Sequence, residues 1–143
     1  MSSQNSGSSS VPAPGRGALI LVVDRNPAVQ RLERFFLEQA GFTVEFTVNG
    51  LTALTRAREL RPAILVTEIL VPKLDGLSLC RAIKSDAETR NILVMIFSHL
   101  QAEDRATEAG ADAFLAKPVD EELLIQTVDR LLALKKKVAG NRS

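Results

Sequence analysis

The chain has 143 residues, which suits a single domain whose core needs neither a metal nor a disulfide to fold. Its 18 basic and 17 acidic residues balance, which argues against nucleic acid or an anionic membrane as a partner. Aromatic residues make up only 4%, which argues against base-stacking surfaces. The one cysteine cannot form an internal disulfide, and a cytoplasmic, reducing compartment is expected.

The chain begins with a segment that does not look able to fold. Residues 1–17 are rich in Ser, Gly and Pro and lack the charged start and apolar middle of a secretion signal, so we expect a disordered tail. The folded domain is predicted over residues 18–135 and a basic C-terminal tail over 136–143. No apolar run approaches the roughly 18 residues of a membrane span.

Five short apolar runs alternate with helical patterns along the predicted domain. They cover residues 18–23, 42–46, 63–66, 92–97 and 112–115. Four of them are nearly continuous in apolar residues, which is typical of strands buried on both faces of a parallel sheet. The second run alternates apolar residues at Phe42, Val44 and Phe46, which predicts an edge strand.

The first helix has clear signals at both ends. Asn26 is a good N-cap, Pro27 suits the first helical position, and Gly41 ends the helix. Its apolar stripe at spacings of three and four residues comprises Val29, Leu32, Phe36 and Ala40.

The later helices are predicted from shorter patterns. The second and third are marked by Leu51, Leu54 and Ala57 and by Gly76, Cys80 and Ile83. The fourth, over 101–109, offers only alanines to the core, so we expect it to be weakly held. The fifth begins near Asp120 and carries Leu124, Val128, Leu131 and Leu132.

Five strand–helix units predict an α/β fold with a doubly wound parallel sheet. Functional sites in such sheets lie beyond the carboxyl ends of the strands. The polar residues at those ends are Asp24, Arg25, Glu68, Ser98, His99 and Lys117. Any one of them alone is commonly a helix cap or a solvated loop residue, but their joint placement at four of five strand ends favours a site.

Several motifs then resemble those of a known family. The segments LILVVDR, RPAILVTEILVPKLDG and EAGADAFLAKPVDEEL occur in order, with Ser98 between the last two. Residues 18–134 resemble the receiver domain of bacterial two-component response regulators. The resemblance implies a flavodoxin-like, five-stranded (βα)5 fold with strand order 2-1-3-4-5.

The resemblance also implies a chemistry. In that family, paired acids after the first strand and an aspartate after the third hold Mg²⁺, and the aspartate takes a phosphoryl group from phosphohistidine. A hydroxyl and a lysine bind that group, and an aromatic residue reports it. The matching positions here are Asp24 for the first acid, Ser98 for the hydroxyl, Lys117 for the lysine and Phe114 for the switch aromatic.

Two positions depart from the family pattern. Arg25 replaces the second acid, and Glu68 occupies the position of the phosphoacceptor. The charges of Asp24, Arg25, Glu68 and Lys117 then sum to zero, whereas Mg²⁺ requires oxygen ligands with surplus negative charge. We therefore expect Mg²⁺ binding to be lost or weak, with Asp24 as the residual candidate ligand, and phosphorylation of Glu68 to fail.

The role of Glu68 stays open between two interpretations. Its longer side chain either imitates part of the phosphorylated state, near Ser98 and Lys117, or simply pairs with Arg25 or Lys117. We expect Phe114 to be turned inward and His99 to be solvated. Cys80 is interpreted as a small core residue rather than a redox group.

The sequence supports three hypotheses of function. The first is a stand-alone pseudo-receiver without enzymatic activity, which binds signalling proteins (a histidine kinase or a downstream regulator) through about residues 101–134. The second is a conventional phosphoacceptor that uses Glu68 or Asp24 with weak Mg²⁺ binding. The third, a flavodoxin-like binder of small ligands, is disfavoured because the loop 24–30 lacks a glycine-rich phosphate cradle.

Overall fold

The computed structural model describes residues 17–118 and 120–141, so the predicted N-terminal tail lies outside the described residues except for Gly17. Five parallel strands form one sheet: β1 (Leu19–Val23), β2 (Thr43–Thr47), β3 (Ile64–Thr67), β4 (Leu93–Ser98) and β5 (Ala113–Ala116). Their order is β2-β1-β3-β4-β5, which confirms the predicted fold. The alternating strand β2 lies at an edge, as its pattern predicts.

Five helices connect and follow the strands. They are α1 (Pro27–Gln39), α2 (Gly50–Leu60), α3 (Gly76–Ser85), α4 (Glu103–Glu108) and α5 (Glu121–Asn141). The Asn26 side chain caps α1 by accepting from the backbone N–H groups of Ala28 and Val29. Proline at the first helical position and this cap together explain why the helix starts there.

The core is divided between the two faces of the sheet. One cluster joins β1, β3 and β4 to α2, α3 and α4, and includes Leu65, Leu79 and Ile96. The other joins the opposite face to α1 and α5, and includes Ile20 and Leu124. Because each central strand is covered on both faces, its apolar residues run continuously rather than alternating.

The buried face of α1 differs from the predicted stripe. Leu32 is 45% exposed, whereas Glu33 and Leu37 are each 1% exposed. The prediction that Leu32 belongs to the buried stripe is therefore wrong. The next residue, Glu33, is rotated by about 100° around the helix axis and takes the buried position. Packing of α1 against β2 and α5, rather than hydrophobicity alone, decides which face turns inward.

The last two helices differ in how they are held. Helix α4 has six residues, no side-chain N-cap, and turns only alanine to the core at Ala106, as the sequence predicts. Helix α5 buries the predicted Leu124, Val128, Leu131 and Leu132 and continues to Asn141, past the predicted boundary at 135. None of the described helices combines the length and apolarity needed to cross a bilayer.

Candidate functional site

The carboxyl edge of the sheet carries four buried polar side chains. Asp24 follows β1, Glu68 follows β3, Ser98 ends β4 and Lys117 follows β5. Backbone hydrogen bonds extend the strand pairing to these residues: the Glu68 N–H donates to Val23 O at 3.0 Å, and the Lys117 N–H donates to Ser98 O at 2.9 Å. The side chains therefore start from fixed positions on one rigid edge.

Lys117 is the central cation of this site. Its ammonium Nζ lies 2.5 Å from Asp24 Oδ2 and 3.0 Å from Glu68 Oε1. The side chains of all three residues are at most 6% exposed, so the ion pairs are shielded from water. The ammonium also lies 5.5 Å from the centroid of the Phe97 ring, within reach of a cation–π contact.

Both oxygens of Glu68 accept hydrogen bonds. Oε2 accepts a short bond from the Ser98 hydroxyl and one of 2.6 Å from the Ile69 N–H. Oε1, besides pairing with Lys117, accepts from the His99 N–H at 3.4 Å. The Glu68 carboxylate is therefore held by four groups, two of which are the hydroxyl and the lysine that the receiver resemblance assigns to phosphoryl binding.

The electrostatics of the site favour an ionised Glu68. Burial opposes ionisation, but the hydrogen bonds from Ser98 and Lys117, the charge of Lys117 and the Ile69 N–H outweigh it, and the pKa of Glu68 is lowered from 4.5. Burial likewise opposes the charge of Lys117, yet its bonds to Asp24 and Glu68 raise its pKa above 10.5. The pair is therefore charged throughout the neutral range.

The loop after β3 explains how Glu68 is placed. Asp75 caps α3 by accepting from the N–H groups of Leu77 and Ser78. Gly76, the first residue of α3, packs so tightly that a Cβ there would lie 2.2 Å from the carbonyl oxygen of Glu68. The Asp75-Gly76 pair thus lets α3 begin directly against the backbone of the site.

Asp24 is fixed by its own loop as well as by Lys117. Its Oδ1 accepts from the Asn26 N–H at 2.9 Å, and its backbone carbonyl accepts from the Gln30 side chain. Arg25, in contrast, is exposed and makes no ion pair with the residues that the structure describes. Of the two alternatives for pairing, Glu68 therefore takes Lys117 and not Arg25.

This placement changes the charge balance expected from the sequence. Counting Arg25 gives zero, but the buried set of Asp24, Glu68 and Lys117 carries −1. Both carboxylates are already bound to Lys117, and in the described part of the chain no three Asp, Glu, His or Cys side chains form a group suited to a metal. The two carboxylates that could ligate Mg²⁺ are therefore shared with an ammonium, which competes with a metal ion for them.

The remaining predicted residues lie outside this charged cluster. Phe114 is half-buried and packs against the apolar core on the α4 side of the sheet. It also lines a cavity of about 260 Å³ together with Glu103 and Arg130. The His99 side chain is exposed, as expected. Cys80 is fully buried on α3, where burial raises the pKa of its thiol to about 11.

One residue near the site was missed by the sequence reasoning. Glu33 is buried on the inner face of α1, where its ionisation is influenced by Asp24, Lys117 and Glu68. The available signal was its spacing: Glu33 lies four residues after Val29 and four before Leu37, on the same helical stripe. An acid at such a position is unusual enough to mark it for attention.

Comparisons with known proteins agree with this architecture. The profile of the response regulator receiver domain matches residues 20–129. The polar-differentiation response regulator DivK of Brucella anthropi is 32% identical over 79% of this chain and 94% of its own length. The receiver domain of the sensor histidine kinase PA1611 of Pseudomonas aeruginosa, solved with magnesium in its active-site cleft, is 27% identical with a TM-score of 0.76, over 82% of this chain and 98% of that one.

A longer relative shows the same match over part of its length. The DNA-binding dual master transcriptional regulator RpaA of Synechocystis is 34% identical over 79% of this chain, but the match covers only 48% of RpaA. This chain thus spans about half of RpaA and nearly all of DivK. On its profile match, its similarity to these proteins and its strand order, the chain belongs to the response regulator receiver domain family.

Proposed function

We propose that this receiver domain signals through protein contacts without being phosphorylated at Glu68. Receiver domains of two-component systems interact with histidine kinases and downstream effectors, and we place such contacts at about residues 101–134. Exposed Leu123 and Leu134 on α5 belong to that surface. The proposal includes no catalytic turnover and a cytoplasmic location.

The engagement of both Glu68 oxygens carries this proposal. An attacking carboxylate oxygen must approach phosphorus in line with the leaving oxygen, so it needs a free lone pair at the open side of the site. Here the Ser98 hydroxyl, the Ile69 N–H and Lys117 hold the two oxygens. Glu68 itself already occupies the contacts that a phosphoryl group would need.

The surrounding charges support the same proposal. Catalysis of phosphoryl transfer depends on positioning and on cations that neutralise developing charge. The two carboxylates share one lysine, and an exposed guanidinium at Arg25 stands where the family has an acid.

The competing function is a conventional phosphoacceptor that uses Glu68 or Asp24 with weakly bound Mg²⁺. It is favoured by the similarity to the PA1611 receiver domain, which holds magnesium. It requires Lys117 to release at least one carboxylate when the metal binds.

A phosphorylation assay distinguishes the two functions. The protein is treated with acetyl phosphate and Mg²⁺ and its intact mass is measured, with Glu68→Gln as the control for reaction at other residues. We expect no added phosphoryl group on the wild-type chain. Both Glu68 oxygens already accept hydrogen bonds, and the site lacks the cations that would neutralise the developing charge. Stoichiometric gain of one phosphoryl group, absent in Glu68→Gln, would overturn the proposal.

A restoring variant tests the reason for the expected failure. The double variant Arg25→Asp, Glu68→Asp supplies the acids of the family pattern at both departing positions. We expect it to gain the phosphoryl group and to bind Mg²⁺ at millimolar concentration in a calorimetric titration. If the double variant folds and binds Mg²⁺ yet the wild type binds it equally well, the charge argument is wrong.

A further inference from the structure

The interior behind the site contains a buried carboxyl group without an evident partner. Glu33 lies in the middle of α1 and is 1% exposed. Its Oε1 has no hydrogen-bond partner among the residues that the structure describes. A buried polar oxygen in this condition is costly, and an isolated buried carboxylate is far more so.

The charged groups around Glu33 disfavour a second negative charge there. Asp24 and Glu68 oppose its ionisation, while Lys117 favours it. Lys117 already binds both of those carboxylates, so it is not available to Glu33 without loss elsewhere.

The elements packed against α1 offer little compensation. Strand β2 contributes Glu45, an exposed acid that pairs with Arg56. Helix α5 lines a groove with α1 through Glu121 and Glu122, and carries Asp129 and Arg130 further along, Arg130 on the side of the α4 cavity. None of these groups is among the main influences on the ionisation of Glu33, which come from Asp24, Lys117 and Glu68.

We propose that Glu33 is an internal proton-binding site, which holds a neutral carboxylic acid at physiological pH and couples proton release to the Asp24–Lys117–Glu68 network. With Glu33 protonated, the buried set carries −1. When Glu33 loses its proton, the net charge of the buried set becomes −2 with a single ammonium. A third carboxylate then competes for Lys117 and weakens its ion pair with Glu68. The inference goes beyond the proposed function and holds whether or not Glu68 accepts phosphate.

The raised pKa of Glu33 determines whether the protein becomes more or less stable as pH rises. Burial, and next the charge of Asp24, raise the pKa of Glu33 from 4.5 to about 8. Between these two values the folded protein keeps a proton that the unfolded chain has released. The contribution of this proton to the free energy of unfolding is therefore fully present below pH 4.5. It is lost as pH rises and changes no further above about pH 8.

Unfolding by urea at a series of pH values tests the coupling to stability. All proteins carry His99→Gln, so that the single histidine does not contribute to the profile. For the wild-type site we expect the unfolding constant to rise up to about tenfold per pH unit between about pH 5 and 8. Glu33→Gln, which mimics the neutral acid, is expected to flatten this rise.

The matched control is Glu38→Gln, an exposed acid on the same helix. It is expected to keep the steep dependence of the parent protein. A profile of Glu33→Gln that runs parallel to that of Glu38→Gln would show that Glu33 does not bind the proton, and the inference would fall.

A second measurement on the parent protein avoids reliance on the folding of variants. The side-chain carboxyl carbons of Glu33 and Glu68 are followed by NMR as a function of pH. We expect Glu33 to titrate near pH 8, and the Glu68 resonance to shift with the same midpoint as its contact with Lys117 weakens. Titration of Glu33 near 4.5, or a Glu68 resonance that does not respond, would contradict the proposal.

Discussion

At the scale of single residues, Lys117 determines the behaviour of the site. Its ammonium is the shared partner of Asp24 and Glu68, and all three side chains are shielded from water. Breaking a buried ion pair from one side leaves an uncompensated charge, which is more damaging than replacing the whole pair by apolar groups.

Replacement of Lys117 by Met therefore has a predictable effect on stability. We expect Lys117→Met to lower the free energy of unfolding by about 3–5 kcal/mol near neutral pH, because two carboxylates remain buried without a cation. Urea denaturation measures this loss, with Lys73→Met, an exposed lysine, as the control.

Repeating the urea denaturation at acidic pH tests whether the unpaired carboxylates cause the loss of stability. The pKa of Glu68 is lowered in the folded protein, so its contribution is present above pH 4.5 and is lost as pH falls through the folded value. The difference between wild type and Lys117→Met should therefore shrink in acid, and adding Glu68→Gln to the variant should recover part of the loss near neutrality. A difference that is constant with pH would point to lost packing instead.

The residues of the site were predictable to the extent that they follow strands. Asp24, Glu68, Ser98 and Lys117 come directly at or after apolar runs, and the carboxyl ends of parallel strands meet at one edge. The direction of a side chain is not encoded in this way. For that reason the sequence did not reveal that Arg25 points to solvent.

At the scale of elements, each observed strand begins one residue later than the apolar run that predicts it, and four of the five also end one residue later. In three of those four strands the added last residue is polar and yet still pairs within the sheet: Thr47, Thr67 and Ser98. Hydrophobicity locates the strands, whereas pairing fixes their last residue. Helix α1 shows the corresponding limit: the spacing of apolar residues predicts the helix, but packing selects Glu33 over Leu32 for the interior.

The junction between β3 and α3 gives a test at this scale. Gly76 donates its N–H to Ile69 O at 2.8 Å, and an added Cβ would lie 2.2 Å from Glu68 O. We expect Gly76→Ala to destabilise the protein by about 1–3 kcal/mol, since backbone must move to make room. Thermal unfolding measures this, with Thr52→Ala, an exposed change in helix α2, as the control. Equal melting temperatures for the two variants would show that the junction is not tightly packed.

At the scale of the whole molecule, the sheet is covered unevenly. Helices α2 and α3 share a large apolar cluster, while α4 is attached to the same face through alanines. Few buried apolar contacts and the lack of a side-chain cap place α4 at the low-stability end of the fold.

Hydrogen exchange is expected to show this difference directly. Amides of α4 should exchange by local opening well before those of α3, although both helices belong to one domain. Mass spectrometry of peptic fragments covering 103–108 and 76–85 measures the two rates in one experiment. Equal protection of both fragments would mean that α4 opens only when the whole domain unfolds.

The contact between Lys117 and Asp24 joins residues 93 positions apart in the chain. On the ribosome, both acids of the site emerge long before the lysine does. A nascent or truncated chain that stops after β4 lacks Lys117, so Asp24 and Glu68 are expected to stay hydrated until that lysine is added. Completion of this edge of the protein therefore waits for the last strand–loop segment to be synthesised.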